Sequence, residues 1–478
     1  MKIVKMSLAA AVLVGASAFA IDNVKISGDA QIAYSTNDSK GQVSNILAGD
    51  AATDSGTLFS KNSSAADAAL HLNVSADLAK NDLVSVSAGA GYTVISTLGL
   101  ENNFVSNVFA GSHNATLGTN ASYASAAGGA KVENASWFNE AWAAVSLGNT
   151  TAKIGRMELD TPLAYTEKWS VEKNTFEAAV LINTDLPDTT LVGAFVGNGN
   201  GTEIFGTGNA NSNFGGLGVG VSTGTNLQGD AQSLGLAAGP VVNANGQFGT
   251  YGENGAYAAG IVNNSIKPLT VQAWYYDVSK LAQAYWLQAD VSMEGILAGA
   301  QYSSINLEKG SAFGIANGLT KDASNDVYAV MLGYEMKDMF TAKVSYSSVG
   351  NDKVAGLAAG FNTATSTGMS KLYTEAWWSY GYVTQADTTS YNITVEVPVK
   401  GIVDLGAYYT NANAGTNSGG TAGNDMTELT ITASKSFGPL DATLAYSNID
   451  AKNRTLYNNT VLTDKSFNQI QAYLTLNF

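Results

Sequence analysis

The chain has no cysteine, six prolines, two arginines (Arg156 and Arg454) and two histidines (His71 and His113) in 478 residues. Without cysteine there is no disulfide, no thiolate chemistry and no Cys-based metal site. Charge is scarce as well. Only 13% of residues are charged, where a soluble globular domain carries about 25%. The charge that exists leans acidic, 39 residues against 24 basic ones, so the footprint of a nucleic-acid-binding protein is missing. Beyond the first twenty residues there is no apolar run of about 18, which argues against membrane-spanning helices. Mean hydropathy is near neutral, and Gly, Ala, Ser, Thr, Asn and Tyr abound. That profile fits a membrane β-barrel, in which lipid-facing apolar and lumen-facing polar residues alternate and average to a bland hydropathy.

The first twenty residues read as a secretory signal peptide. Lys2 and Lys5 form a positive n-region, Met6 to Ala16 an apolar and small h-region, and Ala18-Phe19-Ala20 an A-x-A cleavage site. Two domains are therefore expected: signal peptide 1–20, and a single barrel over 21–478. Leaving out Lys2 and Lys5 brings the 24 basic residues to 22, and the mature net charge against 39 acidic residues to −17. An exported chain without disulfides needs another constraint, and a closed backbone hydrogen-bond network in lipid supplies one.

Alternation is clearest in the last strand. Ile470, Ala472, Leu474, Leu476 and Phe478 share one face, and Gln469, Gln471, Tyr473, Thr475 and Asn477 the other. Period two with one apolar and one polar face means a strand between lipid and water. Its final aromatic, Phe478, is read as the signal that barrel-assembly machinery recognises. The same pattern recurs at Leu269/Val271/Ala273/Tyr275 against Thr270/Gln272/Trp274/Tyr276. Phe340/Ala342/Val344/Tyr346 against Thr341/Lys343/Ser345/Ser347 repeats it.

Connections alternate between short and long. Tight links are predicted at Ala79-Asp82, Gly148-Asn149, Asp185-Pro187, Asn264-Lys267, Met293-Glu294, Lys337-Asp338, Pro398-Gly401 and Gly438-Pro439. Short periplasmic turns and long external loops are the habit of outer-membrane barrels. Nineteen segments read as strands, but such barrels need an even number. The odd one is KLYTEAWWSYGY, 371–382; as a spanning strand it would put the short Pro398-Gly401 turn outside and the long 411–426 loop inside. Placing it in the preceding external loop leaves an all-β, closed antiparallel barrel of about 18 strands, with nine external loops and eight turns. Barrels of 16–18 strands leave an aqueous channel, whereas about 8 fill themselves with side chains.

Two loops are candidates to narrow that channel. The third, within GRMELDTPLAYTEKWSVEKNTFEAAVLIN (155–183), carries Arg156, Glu158, Asp160, Glu167, Lys168, Glu172 and Lys173 around apolar anchors such as Leu163, Tyr165 and Val171. Mixed charge on an amphipathic loop suits one folded into the lumen. The second is the set-aside segment, with Tyr373, Glu375, Trp377 and Trp378, because adjacent tryptophans are better packed inward than exposed. No catalytic residue is assigned. His71 lies on the polar face of the second strand and reads as a lumen-facing polar residue. His113 sits in a Gly/Asn/Ser loop with nothing around it to orient it, so an enzyme is not expected.

Thr161-Pro162-Leu163 and Asn174-Thr175-Phe176-Glu177, after the Gly155-Arg156 strand end, resemble the third-loop region of the OprD-like outer-membrane carboxylate channels. The signal-peptide start, the IDNVKISGDAQIAYSTND opening and TEAWWSYGYV resemble the campylobacterial-type major outer membrane porins still more closely. The resemblance implies an 18-stranded pore, often a homotrimer, constricted by its third loop with the seventh contributing. It also raises calcium held by acidic loops, although no EF-hand spacing is present; no other cofactor is expected. One departure counts: carboxylate channels line their lumen with a ladder of arginines, and this chain has two in all. The expectation is therefore a general diffusion porin for ions and small hydrophilic solutes, cation-preferring because an acidic rim concentrates cations. Outer-membrane lipid, lipopolysaccharide and the assembly machinery are its expected partners. A surface adhesin using the loops at 97–136 and 198–254, and a carboxylate-preferring channel, are the alternatives.

Overall fold

The computed structural model describes residues 22–38, 57–59, 64–96, 135–168, 171–200, 248–250, 255–310, 320–352, 370–379, 382–415, 425–451 and 466–478. The signal segment with Ala18 and Ala20, together with His113 and Arg454, lies outside the described residues. The strands are β1 (Asp22–Asn37), β2 (Ser64–Lys80), β3 (Val84–Ser96), β4 (Ala135–Leu147), β5 (Thr150–Met157), β6 (Phe176–Asn183) and β7 (Thr189–Gly199). Next come β8 (Gly249–Thr250), β9 (Ala256–Asn263), β10 (Leu269–Val278), β11 (Ala282–Met293), β12 (Ile296–Leu307) and β13 (Ala323–Met336). The last six are β14 (Phe340–Val349), β15 (Thr388–Val399), β16 (Val403–Ala414), β17 (Met426–Phe437), β18 (Leu440–Ala451) and β19 (Ser466–Asn477).

Eighteen of these form the wall. β8 is a two-residue segment paired to the end of β7, while β9 takes the next place in the ring. Every neighbour is antiparallel and consecutive in sequence, and β1 pairs with both β2 and β19, so the sheet closes on itself. Closure leaves no edge with orphaned N–H and C=O groups, each of which costs several kcal/mol in hydrocarbon. At the seam the N–H and C=O of Gly28 exchange 2.9 Å bonds with Phe478. A Cβ on Gly28 would lie 2.7 Å from the Phe478 ring, so the closing aromatic needs glycine beneath it.

The predicted alternation is what builds the wall. Val344 is 57% exposed and its neighbour Ser345 3%; Leu474, Leu476 and Phe478 face outward while Gln469 and Gln471 are buried inside. Segment 371–382 forms no strand among its described residues, so the count of eighteen and the loop-and-turn alternation stand. Tight turns sit at one end. Met293 pairs with Ile296 across Glu294-Gly295, both at positive φ (51° and 87°), the geometry of a two-residue hairpin turn whose twist matches the strands. Some turns are shifted by a residue or two from expectation: Ala79 and Lys80 belong to β2, Met293 belongs to β11, and the 398–401 link moves as well. Pro398 belongs to β15, and the link is Lys400–Ile402. Pairing of β15 with β14 ends at Glu396, so the missing proline N–H is not needed on that side.

Candidate functional site: the lumen between two inward-folded connections

The connection between β5 and β6 turns into the barrel. Pro162 sits in a tight turn in which Thr161 N–H donates to Ala164 O (3.0 Å), and Thr166 N–H donates to Leu159 O (2.8 Å). This small hairpin buries Leu159, Leu163 and Ala164 in one apolar cluster with the inward side chains Trp274, Tyr276 and Trp286. The Tyr276 hydroxyl accepts from Leu163 N–H at 3.3 Å. The inner wall is thus not polar throughout, as the sequence led us to expect. Between β6 and β14 its long-connection half carries Val196, Trp274, Trp286, Ile305, Val327 and Val349, all buried. The alternation hides them, because outward neighbours such as Tyr328 and Val330 are apolar too.

The charged half of the same connection meets β1 to β4. An irregularity in the β3–β4 register, where Gly91 faces Glu140 but Tyr92 faces Phe138, leaves Asn139 without a partner in the ladder. Such a bulge re-aims a side chain. Asn139 Nδ2 donates to Glu172 Oε1 (2.6 Å) and to Lys173 O (2.8 Å). His71, on β2, reaches the other oxygen of Glu172 at 3.1 Å. Lys173 Nζ is 2.6 Å from Glu140 and also bridges to Glu158, which in turn binds Lys168. Burial by itself would push the Lys173 ammonium down, but Glu140 and Glu158 outweigh it and hold the group above its ordinary value. For Glu158, burial works to raise the value, and Lys173 then Lys168 bring it below the usual carboxylate range.

The connection between β14 and β15 enters from the other side. Its segment 370–379 is pinned at four points on the wall. Tyr373 donates its hydroxyl to Asp290 on β11 and its N–H to Gln301 on β12 (3.0 Å). Thr374 and Ser347 share a 2.6 Å hydroxyl bond. Glu428 on β17, 1% exposed, accepts from the N–H groups of Trp378 (2.9 Å) and Ser379 (2.7 Å). Glu375 accepts from Ser370 N–H (2.8 Å) and Ala376 N–H (3.1 Å). Trp377 lies 6.5 Å from both Trp378 and Tyr408, ring to ring. Burial, then Asp290, raises the Tyr373 hydroxyl above its ordinary value, so it stays a donor.

The two connections meet. Lys371 bridges to Asp160 and lies 4.8 Å from the Tyr165 ring centroid. Between them and the wall of β1 to β4 and β18 to β19 remains a cavity of about 900 Å³. Glu158, Glu167, Lys168, Glu172 and Lys173 line it with Glu375, Trp377 and Trp378, so most of both predicted sets share one space. Asp160 serves the link between the connections, and Tyr373 is turned into the wall. Arg156 is a correction. It pairs with Ala141 and Glu177 on the outward face that it shares with Ile154. There its Nε donates to Glu177 (2.9 Å), and its guanidinium covers the Phe248 ring. It precedes Met157, which faces in, and strict strand alternation turns it out. Asp29, His71, Asn139 and Glu140 also line the cavity and were not singled out as site residues. Their one signal was inward parity, which dozens of residues share. Among the described residues no group of three or more His, Asp or Glu side chains is arranged to hold a metal ion.

No protein-family model matches the chain, and no curated protein matches it. Solved structures do. OpdK, an outer membrane protein of Pseudomonas aeruginosa, seen in one structure with vanillate, aligns at 12% identity and a TM-score of 0.62, covering 96% of this chain and 99% of its own. P. aeruginosa OccK8 (OprE) aligns at 14% and 0.63, over 96% and 99%, and Acinetobacter baumannii OccAB1 at 12% and 0.64, over 96% and 97%. At such identities the likeness speaks to the fold. The chain has the fold of these Pseudomonas and Acinetobacter barrels, a closed ring of eighteen antiparallel strands.

Proposed function

We propose that this chain is a porin of a Gram-negative outer membrane, a water-filled channel for passive diffusion of ions and small hydrophilic solutes. The observation that carries the reading is the lumen itself. An eighteen-stranded ring is too wide to fill with side chains, and two inward connections leave a polar cavity of about 900 Å³. In this reading the third connection, 158–175, narrows the pore and the seventh, around Trp377 and Trp378, completes the constriction. Lumenal groups here bind and steer; they carry out no reaction.

Cation preference is part of the proposal. Asp29, Glu140, Glu158, Glu167, Glu172 and Glu375 line the cavity against Lys168, Lys173 and His71, and an excess of one sign in a low-dielectric passage concentrates counter-ions. A carboxylate-preferring channel is the second reading. It is favoured by the fold shared with vanillate-bound OpdK and by Lys168 and Lys173 on the cavity wall. Kinship with the campylobacterial-type porins, a homotrimer and calcium in the acidic loops belong to the same proposal and rest on the resemblance in sequence; lipopolysaccharide contact and recognition of Phe478 by the assembly machinery belong to it too, the latter resting on the alternating strand that ends on that aromatic.

The test is the reversal potential of the refolded protein in a planar bilayer under a potassium chloride gradient. Current carried mainly by potassium supports the acidic lumen. Chloride preference moves the assignment to the carboxylate channel. A folded barrel that passes no current leaves the adhesin.

A further inference from the structure

Among the ties that hold the third connection to the wall, one runs through a histidine. His71 faces the lumen from β2 and is 8% exposed. Its Nδ1 is 2.7 Å from Asp29 Oδ1 on β1, and its Nε2 is 3.1 Å from Glu172 Oε2 on the connection. Neutral imidazole has one N–H and one lone pair, so it can donate to only one of two carboxylates. Placed between two, the ring satisfies both only as imidazolium, when both nitrogens donate. Glu172 is fully engaged otherwise, its Oε1 accepting from Asn139 Nδ2 (2.6 Å) and from Lys173 N–H (2.9 Å).

The groups facing this ring are few. Asp29 comes from β1, with Gln31 donating to the same carboxylate at 2.7 Å. The neighbour in register on β3 is Thr93, which does not ionise. Glu172 comes from the connection, and Lys173 follows it, occupied with Glu140 and Glu158.

We propose that His71 is a positioning residue, an imidazolium latch between Asp29 and Glu172 that holds the third connection against the wall. The proposal rests on the reading that this connection narrows the pore. Loss of the ring proton removes one of the two hydrogen bonds and leaves two carboxylates facing each other without a compensating charge, a costly arrangement in a buried site. The connection then loosens at Glu172, while the Lys173 bridges to Glu140 and Glu158 keep it from leaving the lumen. The sign follows. The latch holds while His71 is charged and is lost as pH rises through the value at which the ring deprotonates.

Single-channel recording of the refolded mature chain, stepped from about pH 5 to about pH 10, tests this. The wild type should give quiet current steps at neutral pH. Toward the alkaline end, the frequency of current transitions should rise on the order of tenfold, as expected for losing a charge-assisted hydrogen bond. His71→Gln should show the high frequency at every pH, with no pH dependence. If that variant does not fold, as judged by heat-modifiable migration on a gel, Glu172→Gln should give the same loss. A wild type without pH response, or a His71→Gln variant that keeps the wild-type profile, overturns the latch. Deletion of 161–166 separates the two readings: unchanged conductance there means that the connection does not narrow the pore, whatever His71 does.

Discussion

At Lys173 one ammonium is shared by two carboxylates from different parts of the chain, Glu140 on β4 and Glu158 at the start of the third connection. Its effect on stability has a defined window. The Glu158 value is depressed, so its contribution is present above the unfolded value of about 4.3 and is lost as pH falls through the folded one. The Lys173 value is raised, so its contribution is present below about 10.4 and is lost as pH rises through the folded one. Replacing the lysine removes a positive charge from a lumen that is already acidic. Lys173→Met should raise the potassium-to-chloride permeability ratio about twofold, read from the reversal potential; an unchanged ratio would mean that Lys173 lies off the ion path. The mixed charge of the connection was legible in the sequence. That Lys173 would find Glu140 was not, because Glu140 is one inward polar residue among many.

Strands and connections obey different rules. A strand such as β14 follows from its own alternation, and from Val344 to Ser347 its burial alternates as the sequence does. Segment 371–382 has the aromatic content of a strand, and only the parity of the whole set argued it out of the wall. The structure gives the reason in energetic terms. Its backbone groups are met by lumenal side chains, chief among them Glu428, which accepts from two consecutive N–H groups at 1% exposure. Glu428→Ala orphans both donors, at about 1–3 kcal/mol each. The expected result is a lower thermal midpoint together with noisier single-channel current. A lower midpoint with wild-type current would show that 377–379 plays no part in the passage. Glu428 could not have been found from sequence, because a glutamate facing the lumen of a pore is unremarkable until something is seen to rest on it.

For the molecule as a whole, the wall separates two solvents, and adjacent residues should respond oppositely to the same change. Leu444, 55% exposed, points outward from β18, and its neighbour Thr443 lines the cavity. In lipid, Leu444→Arg should cost about 2–4 kcal/mol if the position is near mid-bilayer and reduce the yield of heat-modifiable barrel. Thr443→Arg should fold normally, lower conductance and shift selectivity toward chloride. Equal folding yields for both would contradict a lipid-facing outer surface.

Scarce charge, period-two alternation and the rhythm of short and long connections are local or additive properties. They were enough to determine a closed barrel of about eighteen strands, the two faces of its most clearly alternating strands and the two connections worth watching. Contacts inside the ring are of another kind. His71 and Glu172 are 101 positions apart, and Lys371 and Asp160 are 211 apart. No periodicity links such pairs; they meet because closure brings distant strands around one lumen and two connections fold into it. Tertiary structure alone therefore decided that Arg156 faces outward with Glu177. It also decided that the long-connection part of the inner wall between β6 and β14 is apolar and covered, and that a histidine read as merely polar stands between two carboxylates at the narrowest part of the lumen on the reading proposed here.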